Sequence, residues 1–245
     1  MNKRVLSIGF ILFLISLLIY TNKKDLYTFG KNIVKTFNEE KTKKEITDSE
    51  STWGIDISHH QKKINWDELV KHNKPDFIFL KCTEGASHQD TKYNTYKNKA
   101  EQYNIVIGAY HFFSYQSSGK AQAENFIKHS KLKEGNIIPV LDLEYVKSQK
   151  SYKSRLGEIK AFCKEIKSEF GTYPIIYCEC DYRNRVLDSF FDNFTFWISD
   201  LYREPRCDYV FWQYTDRGEV KGIGKIDNNK LHPSKNLTDF IMNDE

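Results

Sequence analysis

Leu141-Asp142-Leu143-Glu144 closes an apolar run, Ile137-Ile138-Pro139-Val140. Alternate side chains of a strand share a face, so the Asp142 and Glu144 carboxyls point the same way from backbones roughly 6.6 Å apart. Two carboxyls on one face repel, and one of them tends to hold its proton at neutral pH. A protonated acid beside an ionised carboxylate is the pairing that glycoside cleavage uses. The same two residues also fit a strand end carrying two solvated acids, so their neighbours must decide.

Such a pair needs elements that bring other polar groups to the same place. Apolar, β-rich runs recur at 53–57, 77–80, 105–113, 137–143, 173–178, 194–198 and 209–214. Phe77-Ile78-Phe79-Leu80 is apolar at every position, as expected of a strand buried on both faces. Asn65 with Glu68 three residues on reads as a capping box opening a helix. Helices are also expected at 92–103, 118–130 and 151–169, the last with an apolar stripe of Leu156, Ile159, Phe162, Cys163, Ile166 and Phe170. Early strand starts lie about 22–36 residues apart, the size of a βα repeat, and later ones about 15–22. Repeated βα repeats predict an α/β fold, a modified TIM-like (β/α) barrel, trimmed and partly depleted of helices in its second half.

A barrel gathers its chemistry at the carboxyl ends of its strands. The residues there are Asp56, followed by Ser58-His59-His60-Gln61; Lys81-Cys82-Thr83-Glu84-Gly85; Tyr110-His111; Asp142 and Glu144; Tyr177 and Glu179; Trp197 and Asp200; Trp212-Gln213-Tyr214; and finally Asp227. Acids and aromatic rings converging on one mouth describe a carbohydrate cleft. Adjacent His59 and His60 point apart and have no third partner at metal-ligand spacing, so no metal and no cofactor is expected. His111 fits a hydrogen-bonded interior histidine at least as well as a functional one.

The chain has 245 residues and a formal net charge of +4. The first fifty residues hold nine Lys/Arg against six Asp/Glu, which leaves the remainder nearly neutral, without the basic patch that nucleic acid would require. Residues 5–20 carry no charge and follow Lys3 and Arg4. They read as a signal anchor at 1–22 that tethers the protein to the membrane, with a cleaved secretory signal as the alternative. Residues 23–50 read as a polar linker, and 51–245 as one extracytoplasmic domain. The chain has five cysteines, so at least one is unpaired within a monomer. Cys82, Cys163 and Cys178 sit in apolar patterns and are expected to be buried; a disulfide is allowed, but the sequence does not choose the pair.

Gly54-Ile55-Asp56-Ile57-Ser58-His59-His60-Gln61 resembles the opening motif of the glycoside hydrolase family 25 lysozymes, the Chalaropsis-type muramidases. Lys81-Cys82-Thr83-Glu84-Gly85, Gly108-Ala109-Tyr110-His111-Phe112, Pro139-Val140-Leu141-Asp142-Leu143-Glu144, Trp212-Gln213-Tyr214 and the closing Gly218-x-Val220-x-Gly222-Ile223 resemble later motifs of that family, in order, across about 53–232. The resemblance implies hydrolysis of the β-1,4 bond from N-acetylmuramic acid to N-acetylglucosamine in peptidoglycan glycan strands. It implies that Glu144 is the acid/base, with Asp142, Asp56 and Asp227 as companion carboxylates. It puts Tyr110, Tyr177 and Trp212 on the cleft wall, with Gln213 and Glu84 as further substrate-binding candidates. Cys82 stands where a small residue is usual, and Ile226-Asp227-Asn228-Asn229 reads as a departure from the commoner Asp-x-Asn, with an extra Asn beside Asp227. A non-catalytic wall-binding protein would need a damaged carboxylate set, and all four acids are present. A glycosidase of another amino-sugar polymer such as chitin is the other alternative.

Overall fold

The computed structural model describes residues 52–61, 63–144 and 152–243. The apolar segment at 5–20 and the spacer at 23–50 lie outside them. Among the described residues no helix is long and apolar enough to cross a membrane.

The chain runs β1 (Trp53–Ile57), α1 (Trp66–Asn73), β2 (Phe77–Glu84), β3 (His88–Gln89), α2 (Tyr93–Gln102), β4 (Val106–Phe112) and α3 (Gly119–Ser130), then β5 (Val140–Asp142), α4 (Tyr152–Phe170), β6 (Ile175–Glu179) and α5 (Cys180–Val186), and ends with β7 (Phe196–Ser199), β8 (Phe211–Val220) and β9 (Gly224–Leu231). Strands β1, β2, β4, β5, β6, β7 and β8 pair in parallel in that order. β9 lies between β8 and β1, antiparallel to both, and closes the sheet into a barrel. β3 only hairpins onto β2.

The expected helices form, for the expected reasons. The Asn65 side chain accepts from Glu68 N at 3.3 Å to cap α1, and Ser118 accepts from Ala121 N at the same distance to cap α3. In α4, Ile159, Phe162, Cys163 and Ile166 are all fully buried. Period-two alternation divides each strand between two cores. Ile78, Leu80, Ile107, Ala109, Leu141, Ile176 and Ile198 face outward into a cluster with the helices. Phe77, Phe79, Val140, Ile175, Trp197, Phe211 and Leu231 fill the barrel. Phe79 stacks on Trp197 with ring centroids 4.3 Å apart, and Phe77 and Phe211 meet edge to face at 5.3 Å. Gly54 and Gly108 make room for these rings, since a Cβ at either would collide with Phe77 or Phe79. A 3-10 turn, Leu237–Phe240, sets Phe240 against Phe211 and stoppers the amino-terminal end.

The second half departs from a repeated βα pattern. After β6 the only α-helix among the described residues is α5, seven residues long. No helix joins β7 to β8, and β8 turns directly into β9. A connection this short forces an antiparallel pair, because a parallel return needs a crossover of a dozen residues or more. Two devices replace the missing helices. Cys180 at the start of α5 is disulfide-bonded to Cys207 in the β7–β8 connection, and Arg183 Nη1 donates to Asp208 O at 2.8 Å. The β8–β9 hairpin buries Val220 and Ile226 against the outer core, and its tip docks on α1 where Asn65 N donates to Gly222 O at 2.8 Å. Gly222 has φ +88°, and a Cβ there would overlap the Asn65 carbonyl, so the tip demands glycine.

The remaining cysteines, Cys82, Cys163 and Cys178, are free and buried, as their apolar settings predict. His111 is an interior histidine. Gln122 Nε2 donates to Ser114 O and Ser117 O, so its Oε1 accepts from His111 Nε2 at 3.1 Å, and Nδ1 accepts from the Thr83 hydroxyl at 2.8 Å. Burial pushes the His111 imidazole down to about 4, and it is neutral at physiological pH.

The two bonded cysteines are 27 residues apart. Closing a loop of that length stabilises a fold by about 3–4 kcal/mol. Replacing Cys180 and Cys207 together by serine is expected to lower the unfolding free energy by about that amount in urea titration. An unchanged midpoint would show that the β7–β8 connection holds without its staple.

Candidate active site

Beyond the aromatic filling, the inward faces of the strands turn polar toward their carboxyl ends. Two residues past Gly54 comes Asp56, past Phe79 comes Lys81, past Gly108 comes Tyr110, past Val140 comes Asp142, past Ile175 comes Tyr177, and past Phe211 comes Gln213. On antiparallel β9 the same face carries Leu231, Asn229 and Asp227, with Asp227 directly opposite Asp56.

Asp56 is 8% exposed and Asp142 6%. Asp56 Oδ2 accepts from Gln213 Nε2 at 2.9 Å and from Asn229 Nδ2 at 2.8 Å. Gln213 Oε1 in turn accepts from the Tyr177 hydroxyl at 2.8 Å and the Ser199 hydroxyl at 3.0 Å. Asn229 Oδ1 accepts from Trp197 Nε1 at 2.8 Å. A continuous hydrogen-bond chain thus joins the aromatic filling to the first carboxyl. Burial and the charge of Asp227 hold Asp56 well above the usual carboxylate range. A hydrogen bond with Asp227 adds to the rise. Asp227 is itself pushed up to about 6, chiefly by burial, while its bond with Asp56 acts in the opposite sense.

Asp142 ends β5 and Glu144 lies just past it, as the motif predicts. Burial, then the Glu144 charge, then Asp56 raise Asp142 well above the ordinary range. Its Oδ1 is buried and has no hydrogen-bond partner. Glu144 is exposed at the mouth yet also raised, by desolvation, with Glu179 and Glu84 adding to the rise and Lys81 opposing it. Both carboxyls are therefore shifted toward their protonated forms, the better buried Asp142 more strongly.

Tyr110 and Tyr177 are half-buried on the strands flanking β5, and both phenols are kept neutral by burial and by the carboxyls. Glu84 is half-exposed at the end of β2, where Lys81 Nζ lies 2.7 Å from its carboxylate and holds it below the ordinary value. Trp212 does not join this group. It is 3% exposed on the face of β8 opposite Gln213, with Lys230 Nζ 4.2 Å over its ring and Nε1 donating to Asp200 O at 2.8 Å. Trp212 is packing, and alternation with inward Gln213 is the reason. The expected departure at Asp227 also dissolves. Asp227 and Asn229 share the inward face of a strand, so Asp-x-Asn is intact and Asn228 merely occupies the middle position. Among the described residues no group of three or more His, Cys, Asp or Glu could hold a metal ion; His59 is engaged instead by Asp90, Nδ1 to Oδ2 at 2.7 Å.

Sequence reasoning missed Asn229 as a ligand of Asp56 and passed over Ser199. The period-two step from Asp227 carried the signal for Asn229.

Gln213→Leu removes one donor from Asp56 and strands the Tyr177 and Ser199 hydroxyls. A buried polar group left unpaired costs about 1–3 kcal/mol, and with the hydroxyls half-buried a loss of about that size is expected in urea unfolding. A variant as stable as wild type would contradict the network.

The profile of the glycosyl hydrolases family 25 matches residues 55–223. YegX of Escherichia coli K12 is 30% identical over 213 residues, covering 83% of this chain and 76% of that protein. Lysozyme M1 of Streptomyces globisporus is 28% identical over 206 residues, covering 76% and 70%. The solved structure of a family 25 glycosyl hydrolase from Bacillus anthracis aligns with a TM-score of 0.71 at 26% identity, covering 78% of this chain and 93% of that one. A bacterial lysozyme from Streptomyces coelicolor aligns with a TM-score of 0.68 at 28% identity, covering 76% and 94%.

Proposed function

The chain belongs to glycosyl hydrolases family 25, and from that premise we propose that it is a muramidase of the Chalaropsis type. It cleaves the β-1,4 bond from N-acetylmuramic acid to N-acetylglucosamine in peptidoglycan. The observation that carries this reading is the cluster of Asp56, Asp142, Glu144 and Asp227 at the mouth of the barrel in a chain of that family.

Glu144 is the general acid, and Asp142 orients the substrate. In the free site Asp142 holds its proton more strongly than Glu144. An N-acetyl N–H donated to the Asp142 carboxyl favours its ionised form. A sugar over the mouth strips water from Glu144 and favours its neutral form. Binding therefore moves the proton to the residue that must give it up. Glu144 protonates the leaving glycosidic oxygen as that bond breaks, and the acetamido carbonyl oxygen bonds to the anomeric carbon from the opposite face. Water then opens this cyclic intermediate, losing its proton to Glu144, with net retention. Asp56, Asp227, Tyr110 and Tyr177 shape the floor of the site, and the Lys81–Glu84 pair stands at its rim.

The enzyme acts outside the cytoplasm, held to the membrane by residues 5–20. The Cys180–Cys207 disulfide supports this location, because such bonds persist in oxidising compartments.

Digestion of purified peptidoglycan by the full chain, followed by borohydride reduction and mass spectrometry, is expected to yield reduced muramic acid ends. Glu144→Gln should lower turnover by about 10²–10⁴-fold while the fold survives. Reduced glucosamine ends, or a Glu144→Gln variant as fast as wild type, would contradict the assignment.

A further inference from the structure

Sheet hydrogen bonds carry the chain as far as Leu143. Phe113 N donates to Asp142 O at 3.0 Å on one side, and Leu143 N donates to Tyr177 O at 2.9 Å on the other. Glu144 lies one residue past that ladder. Its main-chain carbonyl instead accepts from the Tyr115 hydroxyl at 3.2 Å. Tyr115 belongs to the loop after β4, and its oxygen lies 2.7 Å from the Tyr182 hydroxyl on α5. The Tyr115 proton is committed to the carbonyl, so Tyr182 is the donor to Tyr115. Tyr182 is 4% exposed, and the Tyr115 ring is held edge-on to Phe113, with Arg155 over its face at 5.2 Å. The loop after β4 thus reaches the Glu144 carbonyl directly, and α5 reaches it through the Tyr115 hydroxyl.

We propose that Tyr115, backed by Tyr182, is a positioning residue that fixes the Glu144 main chain where the sheet ends and so aims its carboxyl at the substrate. The proposal rests on the acid role given to Glu144 above. A misplacement of about 1 Å in a reacting group can slow a reaction about 10²-fold, and Glu144 lacks the ladder bonds that hold Asp142. The Tyr182–Tyr115 relay supplies that restraint. It also ties the site to α5, whose first residue is stapled by the disulfide.

The test uses the full chain with Tyr115→Phe, which keeps the ring and removes only the hydroxyl. On peptidoglycan, kcat is expected to fall about tenfold with KM within about twofold. Tyr182→Phe should fall about threefold, and the double variant should lose no more than Tyr115→Phe alone, because Tyr182 acts through Tyr115. In parallel, the Glu144 carboxyl is followed by ¹³C NMR. Its titration midpoint should move down in Tyr115→Phe as the released side chain gains water. A Tyr115→Phe enzyme with kcat within about twofold of wild type, losses in the two single variants that multiply, or an unmoved Glu144 midpoint would overturn the proposal. An inactive wild-type enzyme would refute the muramidase reading, and the midpoint shift would then decide the positioning role by itself.

Discussion

A carboxyl group stripped of water keeps its proton unless something nearby stabilises the charge, and this protein sets two such groups, Asp56 and Asp142, on the inner wall of a closed barrel. Much of its architecture answers to that constraint. Phe77, Phe79, Trp197 and Phe211 fill the barrel and exclude solvent from below. Above them Gln213 and Asn229 donate to Asp56, and the Asp227 charge raises it further. Asp142 Oδ1, by contrast, is buried without a hydrogen-bond partner.

The price of a short chain is visible in the second half. With too few residues for late crossover helices, the barrel closes through an antiparallel strand. The outer face there is held by a disulfide, an arginine–carbonyl bond and a hairpin pinned at Gly222. The antiparallel strand has a chemical consequence. It presents Asp227 directly opposite Asp56, where its charge raises the Asp56 carboxyl.

Local patterns made much of this legible in the sequence. The all-apolar run at 77–80 announces a strand buried on both faces, and Asn65, Ser118 and the α4 stripe announce helices that form where expected. Asp142 and Glu144 were readable as neighbours from their spacing, although the strand ends at Asp142 and Glu144 lies just past it. Trp212 misleads, since its neighbour Gln213 is the inward residue. What local pattern does not encode is pairing across the barrel: the direction of β9, the choice of Cys207 for Cys180, and the contact of Tyr115 with the Glu144 carbonyl from 29 residues away. Each depends on closure of the whole sheet. The charge balance on Glu144 was likewise out of reach. Its raised value owes most to burial, with Glu179 and Glu84 adding to the rise and Lys81 opposing it.

The most direct measurement is the carboxyl ¹³C titration of Asp142 and Glu144 in the wild-type, ligand-free protein. The account predicts that Asp142 stays protonated to well above the ordinary carboxylate value of about 4, and that Glu144 loses its proton first. An Asp142 that titrates at the ordinary value, or a Glu144 that holds its proton longer than Asp142, would contradict the proton balance between them on which the mechanism stands.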